Sequence, residues 1–206
     1  MGSSSKLAPV LRHKARSYSG STMAQSRRVT SERHKKPRPP LDEDALERIA
    51  LFYVGRYAST RAKLRAYLVR KVRERGWHDG GQPPVDGLVE RISSLGYVDD
   101  AAFAASRAAS LSRRGYGRRR VNQALHAAGI EEADAAPAKE QARASAMAAA
   151  LRFAERKRLG PFASVSAGPD MRNKAFAAMA RAGHPVDIIR RVLDSAPGEI
   201  PECDSC

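Results

Sequence analysis

After residue 41 the chain three times places two apolar residues four apart ahead of a glycine: Leu64 and Leu68 before Gly76, Val121 and Leu125 before Gly129, Ala175 and Met179 before Gly183. Residues four apart share one face of an α-helix, and a glycine just beyond them is a helix stop. In the second and third occurrences the glycine follows the pair by four residues, and in the first by eight. Four extra residues are about one helical turn, so the buried face is nearly preserved. Helices this short cannot bury their apolar stripes alone. A chain that repeats them is therefore driven to stack them into units that share an extended core. A single irregular helical domain is the alternative.

The flanking segments complete each unit. Asp42 or Asp44 can cap a helix carrying Leu46, Ile49, Ala50, Tyr53 and Tyr57, with Gly55 near its end, and Ser59 or Thr60 can cap the helix of Leu64. Pro83-Pro84 suits the first turn of a helix with Val85, Leu88, Val89, Ile92 and Leu95, ended by Gly96. The second unit opens at Asp99-Asp100, runs past Phe103, Ala104 and Leu111, breaks at Gly115-Tyr116-Gly117 and resumes through Val121 to Gly129. A third helix from Ile130 is expected to be cut short by Pro137, which has no N–H to donate. The third unit takes an Ala-rich helix from Ala138 to about Lys157, a loop over 160–169, a helix that Asp170 can cap, and a last one holding Val186, Ile188, Ile189, Val192 and Leu193.

The expected fold is all-α: tandem three-helix repeats forming an elongated, curved molecule, with repeats over 41–98, 99–137 and 138–195. Apolar residues make up 42% of the chain, mostly Ala and Leu, and only 6% is aromatic, which favours helix over sheet. Residues 1–40 hold ten Lys or Arg against one acid, Glu32, and read as a disordered basic leader in which Met23 is a second possible start after Met1. Residues 196–206 read as a flexible tail.

Of the formal net charge of +15, the leader supplies +9, leaving +6 for the rest, where 27 basic residues face 21 acidic ones. Such a balance suits nucleic acid or an acidic protein face. Cys203 and Cys206 have the spacing of half a metal or redox site but no second half, and the five histidines are scattered, so no metal or cofactor is expected. No segment approaches the roughly 18 apolar residues of a membrane span, and the chain reads as soluble and cytoplasmic. A phosphate-binding G-x-x-x-x-G-K-[ST] loop, a G-x-S-x-G elbow and an H-E-x-x-H pair are all missing from the sequence, which reads as non-enzymatic.

The segment Leu95-Gly96-Tyr97-Val98-Asp99-Asp100-x-x-Phe103-Ala104, followed by Arg114-Gly115-Tyr116-Gly117 and Gly129-Ile130, resembles the central signature of the RecX regulatory family. Thr60-Arg61-Ala62-Lys63-Leu64 is similar to the family's Ser-led "x-x-E-L" segment, and Lys174-Ala175-Phe176 through Arg181-Ala182-Gly183 to its third repeat. The resemblance spans about residues 43 to 193. The chain departs from the pattern at Lys63, where the family has an acid, at Gln123-Ala124-Leu125 in place of "x-E-L", and at Ala128-Gly129 in place of Lys-Gly. The resemblance implies a monomeric protein that lies in the groove of the RecA recombinase filament on single-stranded DNA. There it would impede filament growth, ATP turnover and strand exchange, and so modulate recombination, DNA repair and the SOS response.

The candidate partner or DNA surface is basic. No acid occurs from Ala101 through Ile130, while Arg107, Arg113, Arg114, Arg118, Arg119 and Arg120 cluster around the glycine turn, and repeat one adds Arg61, Lys63, Arg65, Arg70 and Lys71. Arginine grips phosphate and carboxylate alike, so the patch suits DNA, with weak direct binding possible, or acidic side chains of RecA. Asp99, Asp100, Phe103, Gly115, Gly117 and Gly129 read as structural: the acids as helix caps, Phe103 as packing and the glycines as stops. Two other readings stay open. One is a helix-turn-helix over 101–128 that binds DNA without RecA, and the other is a helical adaptor that ignores both.

Overall fold

The computed structural model describes residues 39–202, so the leader up to residue 38, Met23, Cys203 and Cys206 lie outside the described residues. Among the described residues the regular structure is nine α-helices and one 3-10 turn, in three consecutive groups of three. The first group is α1 (Glu43–Arg56), α2 (Arg61–Arg75) and α3 (Val85–Ser94). The second is α4 (Asp100–Arg113), α5 (Arg118–Ala127) and α6 (Glu132–Ala144). The third is α7 (Ala146–Lys157), α8 (Pro169–Arg181) and α9 (Val186–Asp194), with the 3-10 turn at Gly160–Phe162.

Caps set the helix starts. Asp42 Oδ1 accepts from Ala45 N at 2.7 Å, Thr60 Oγ1 from Lys63 N at 3.2 Å, and Asp99 Oδ1 from Ala102 N at 2.8 Å. Asp170 does not cap α8. That helix starts at Pro169 behind Gly168, which puts Asp170 inside the first turn, where its charge meets the positive end of the helix. The stops are also local: at Gly129, with φ +70°, Ile130 N donates back to Leu125 O at 3.3 Å and closes α5.

The three apolar pairs are all buried: Leu64 with Leu68, Val121 with Leu125, Ala175 with Met179. Each lies on the middle helix of its group and anchors that group's core. The burial of a side chain such as Leu, Val or Met contributes roughly 1.5–3 kcal/mol, so Leu64, Leu68, Val121, Leu125 and Met179 each stabilise their unit, and the small Ala175 contributes less.

One expected boundary is corrected. Helix α6 does not end at Pro137 but runs through it, and the expected helix from Ala138 to Lys157 is two helices that meet at Ser145. Pro137 and Ala133, whose carbonyl loses its helical partner, both lie on the exposed side of α6, where water can satisfy that oxygen. On the other side Ala135, Ala138 and Ala142 are buried with Ala104 and Ala108 of α4. Close packing of small residues over the helix pair outweighs the loss of one bond.

The middle helices meet end to end. The C-terminal turn of α5 abuts the N-terminal turn of α2, where Thr60 Oγ1 donates to Ala128 O at 2.7 Å. The C-terminal turn of α8 abuts the N-terminal turn of α5 in the same way: Gly117 N donates to Ala182 O at 2.9 Å and Arg119 N to Gly183 O at 3.1 Å. Unpaired carbonyls of one helix thus satisfy donors at the start of the next, and opposite dipole ends face each other. At the free C-terminal end of α2, Leu41 takes the same part: Leu41 N donates to Gly76 O at 2.9 Å, and Arg75 donates to Pro39 O at 3.0 and 2.8 Å. Pro39 and Pro40, expected to belong to the leader, are therefore next to a fastened edge.

Candidate partner-binding groove

Repeats one and two join at the N-terminal turn of α2. Arg61 N, one of the donors that a helix start leaves unpaired, donates to Asp100 Oδ1 at 2.9 Å, and Arg61 Nε reaches Oδ2 at 3.4 Å. The same guanidinium also pairs with Asp134 of α6. The Asp100 side chain is 2% exposed and that of Arg61 34%. Burial opposes charge on Arg61, but the hydrogen bond to Asp100 and the charges of Asp100 and Asp134 outweigh it and raise its pKa. Asp99 caps its own helix as expected. Asp100, expected to do the same, instead caps the helix of the neighbouring repeat, because the fold brings the starts of α2 and α4 together.

Beside this junction lies a half-open groove of about 670 Å³ between α2, α4 and α5. Helix α4 supplies Phe103, Arg107 and Leu111, which recur along one helical face that its C-cap Arg114 continues, and α5 supplies Arg120, Gln123, Ala124 and Ala127, which share a face of their own. Lys63 enters from α2 with its ammonium 4.5 Å from the centre of the Phe103 ring, and the Arg114 guanidinium lies 5.5 Å from that of Tyr116. The floor is apolar, the rim carries four cations, and no carboxylate lines it.

Of the eleven basic residues read from the sequence, the fold gathers Lys63, Arg107, Arg114 and Arg120 here. The rest of the repeat-one set is engaged elsewhere. Arg61 is in the junction, Arg65 pairs with Asp86 at 2.6 Å, and Arg70 and Lys71 meet Glu74 at 3.6 and 2.6 Å. Arg113 points to the other side of α4, into a separate groove with Arg152, while Arg118 and Arg119 are exposed at the start of α5 outside the lining. Phe103 is partly buried against the second core, as expected of packing, but it also forms a wall of the groove, and Tyr116 bridges the second and third cores. Gln123, Leu111 and the alanines of α5 were not singled out as functional, although the spacing of 120, 123, 124 and 127 marks them as one face.

The glycines of the signature are close-approach positions. Gly115, at φ +73°, lies where a side chain would meet Phe153 N at 3.0 Å, and a Cβ on Gly129 would collide with Ala62 of α2. Gly117 and Gly183 bring two main chains together, and the buried ring of His184 beside them makes a 3.1 Å hydrogen bond between Nε2 and Gly115 O. Burial drives the His184 pKa below its ordinary value despite that bond.

The family model described as "RecX, second three-helix domain" matches residues 99–138, which hold α4, α5 and the first half of α6. The regulatory protein RecX of Myxococcus xanthus (strain DK1622) is 34% identical over 177 residues, covering 79% of this chain and 91% of the relative. The chain belongs to the RecX family. A second regulatory protein RecX, from Agrobacterium fabrum, is 29% identical over 148 residues, covering 70% of this chain and 79% of its own. The crystal structure of RecX from Lactobacillus salivarius shares the fold with a TM-score of 0.55 at 17% identity, covering 74% of this chain and 94% of that one. Another RecX crystal structure gives 0.54 at 20% identity, covering 74% and 73% of the two chains. Among the described residues no helix is long and apolar enough to cross a membrane.

Proposed function

We propose that this RecX-family protein binds the RecA filament on single-stranded DNA as a monomer, without catalysis of its own, and restrains filament growth, ATP turnover and strand exchange. The groove between α2, α4 and α5 is the contact. One observation carries this reading: four cations, from α2, α5 and α4 with its C-cap, converge on one half-open groove with no carboxylate in its lining, whereas Arg61, Arg65, Arg70 and Lys71 of repeat one are ion-paired. Unpaired cations held together repel one another, so an anionic partner gains what the protein itself leaves unsatisfied. A ligand that favours one filament state shifts assembly through differential affinity alone.

The helix-turn-helix reading over 101–128 fits less well. Such a module leads with the N-terminal end of its second helix, and here that end of α5 is engaged by the carbonyls of Ala182 and Gly183. The test is DNA-dependent ATP hydrolysis by the cognate RecA, titrated with this protein well below the RecA concentration. Inhibition that weakens at least about tenfold in an Arg107→Ala, Arg114→Ala, Arg120→Ala variant supports the groove, since each lost charged contact is worth about 1.5–3 kcal/mol. Absence of inhibition at every ratio, with tight and salt-sensitive binding to DNA alone, would replace it with RecA-independent DNA binding.

A further inference from the structure

The groove is not the property of one repeat. Its α4 and α5 walls belong to repeat two, but Lys63 comes from the third residue of α2, in repeat one. What places Lys63 there is the fastening of the α2 N-terminal turn two residues earlier. Arg61 is held by Asp100 through both its main-chain N–H and its guanidinium, and by Asp134 through the guanidinium again. Thr60 Oγ1 on Ala128 O adds a third tie, and Ala62 rests against Gly129.

We infer that Asp100, seconded by Asp134, is a positioning residue for partner binding: the Asp100–Arg61–Asp134 latch holds Lys63 over Phe103 and so completes the cationic rim. Neither carboxylate lines the groove, and Asp100 is too deeply buried to meet a partner itself. Its action therefore passes through α2. A lysine on a free helix end samples many rotamers and loses that freedom on binding, whereas a lysine already seated against an aromatic ring has lost most of it beforehand. Opening the latch frees the exposed Lys63 from its place over the Phe103 ring and leaves Arg107, Arg114 and Arg120 where α4 and α5 put them. The groove then loses one cation of four, without the removal of any residue that lines it.

This inference rests on the groove being the filament contact, and a set of double-mutant cycles on the full chain tests the two separately. The readout is the concentration that half-inhibits DNA-dependent ATP hydrolysis by the cognate RecA. Lys63→Ala and Asp100→Asn are each expected to raise it about tenfold, the size of one interfacial charge contact. Combined, they are expected to raise it about tenfold in total rather than a hundredfold, because both remove the same contact. Arg107→Ala in the Asp100→Asn background must still multiply, which a merely misfolded protein would not allow. Asp134→Asn, at a half-exposed site that folding tolerates, is expected to raise it about threefold, and only while Lys63 is present. Multiplicative effects of Asp100→Asn and Lys63→Ala, or wild-type inhibition by Asp100→Asn, would overturn the positioning role while leaving the groove standing. Silence of Lys63→Ala and Arg107→Ala alike would remove the groove contact, and the positioning role with it.

Discussion

At the junction of repeats one and two, side chains do the joining: the Thr60 hydroxyl reaches Ala128 O, and the Arg61 guanidinium reaches Asp100 and Asp134. At the junction of repeats two and three the main chains themselves meet, with the amides of Gly117 and Arg119 on the carbonyls of Ala182 and Gly183 and the buried His184 ring beside them. The plan is the same at both, the end of one middle helix against the start of the next. The difference is in what each tolerates. A side-chain junction is adjusted one charge at a time and is coupled to the groove next to it. The main-chain junction demands the absence of Cβ atoms on two facing backbones, at Gly117 and Gly183, whereas the first does so only at Gly129 against the Ala62 side chain. The main-chain junction also carries a titratable ring.

The largest effect is expected at the second junction. Gly117 has an ordinary backbone conformation, with φ −79°, so alanine there is not strained, but its Cβ would fall onto the carbonyl of Gly183 and the amide of His184. Gly117→Ala should therefore cost about 3 kcal/mol in urea unfolding, the upper end of overpacking. Gly80→Ala, at φ +67° in open space, should cost only about 1 kcal/mol of backbone strain. Equal losses in the two variants would show that the close approach at the second junction is not tight.

Next comes the first junction. Asp100→Ala leaves the Arg61 amide without its acceptor and the guanidinium with Asp134 alone, at an expected cost of about 2 kcal/mol. Hydrogen exchange should speed up at the start of α2 while the amides of Gly117 and Arg119 keep their protection. Loss of protection at both junctions would break the distinction drawn between them.

A smaller effect separates them by pH. The Nε2 of His184 meets the Gly115 carbonyl, its Nδ1 has no hydrogen-bond partner, and the ring packs on Phe153, against which the Arg156 guanidinium of the same helix α7 lies at 5.7 Å. Burial holds the folded pKa below the ordinary 6.5, so below that pH the unfolded chain binds the proton first. Stability should thus be level in this respect above pH 6.5, fall as pH drops below it by at most about 1.4 kcal/mol per unit, and level off once the folded ring titrates. His184→Gln should flatten that slope, and hydrogen exchange should place the loosening at Gly117 and Arg119. An unchanged slope in the variant would remove His184 as its source. The smallest effect is expected within repeat one: Arg65→Ala breaks an exposed pair with Asp86 and should leave the unfolding midpoint unchanged.

Much of this architecture was legible in the residues. The caps at Asp42, Thr60 and Asp99 and the stop at Gly129 act within a few residues of themselves, so local chemistry announces them. Pro137 misled for the same reason: its local cost is real, but the alanine face that α6 lays on α4 is a sum over two helices and outweighs it. Asp100 and Asp99 are adjacent and chemically identical, yet one caps its own helix and the other caps a helix 39 residues away in sequence. The basic residues divide in the same manner. Arg65 and Arg107 look alike in sequence, and only their neighbours in space make one an ion-paired surface residue and the other part of a groove rim.

By itself the sequence determined the number of helical repeats, the middle-helix cores and the stops that glycines impose, because these follow from periodicity and from the conformational limits of single residues. The tertiary structure alone decided which cations converge, which carboxylate latches α2, and which glycines face another backbone. Those are relations between residues far apart in the chain, and a distance in space has no counterpart in the spacing along it.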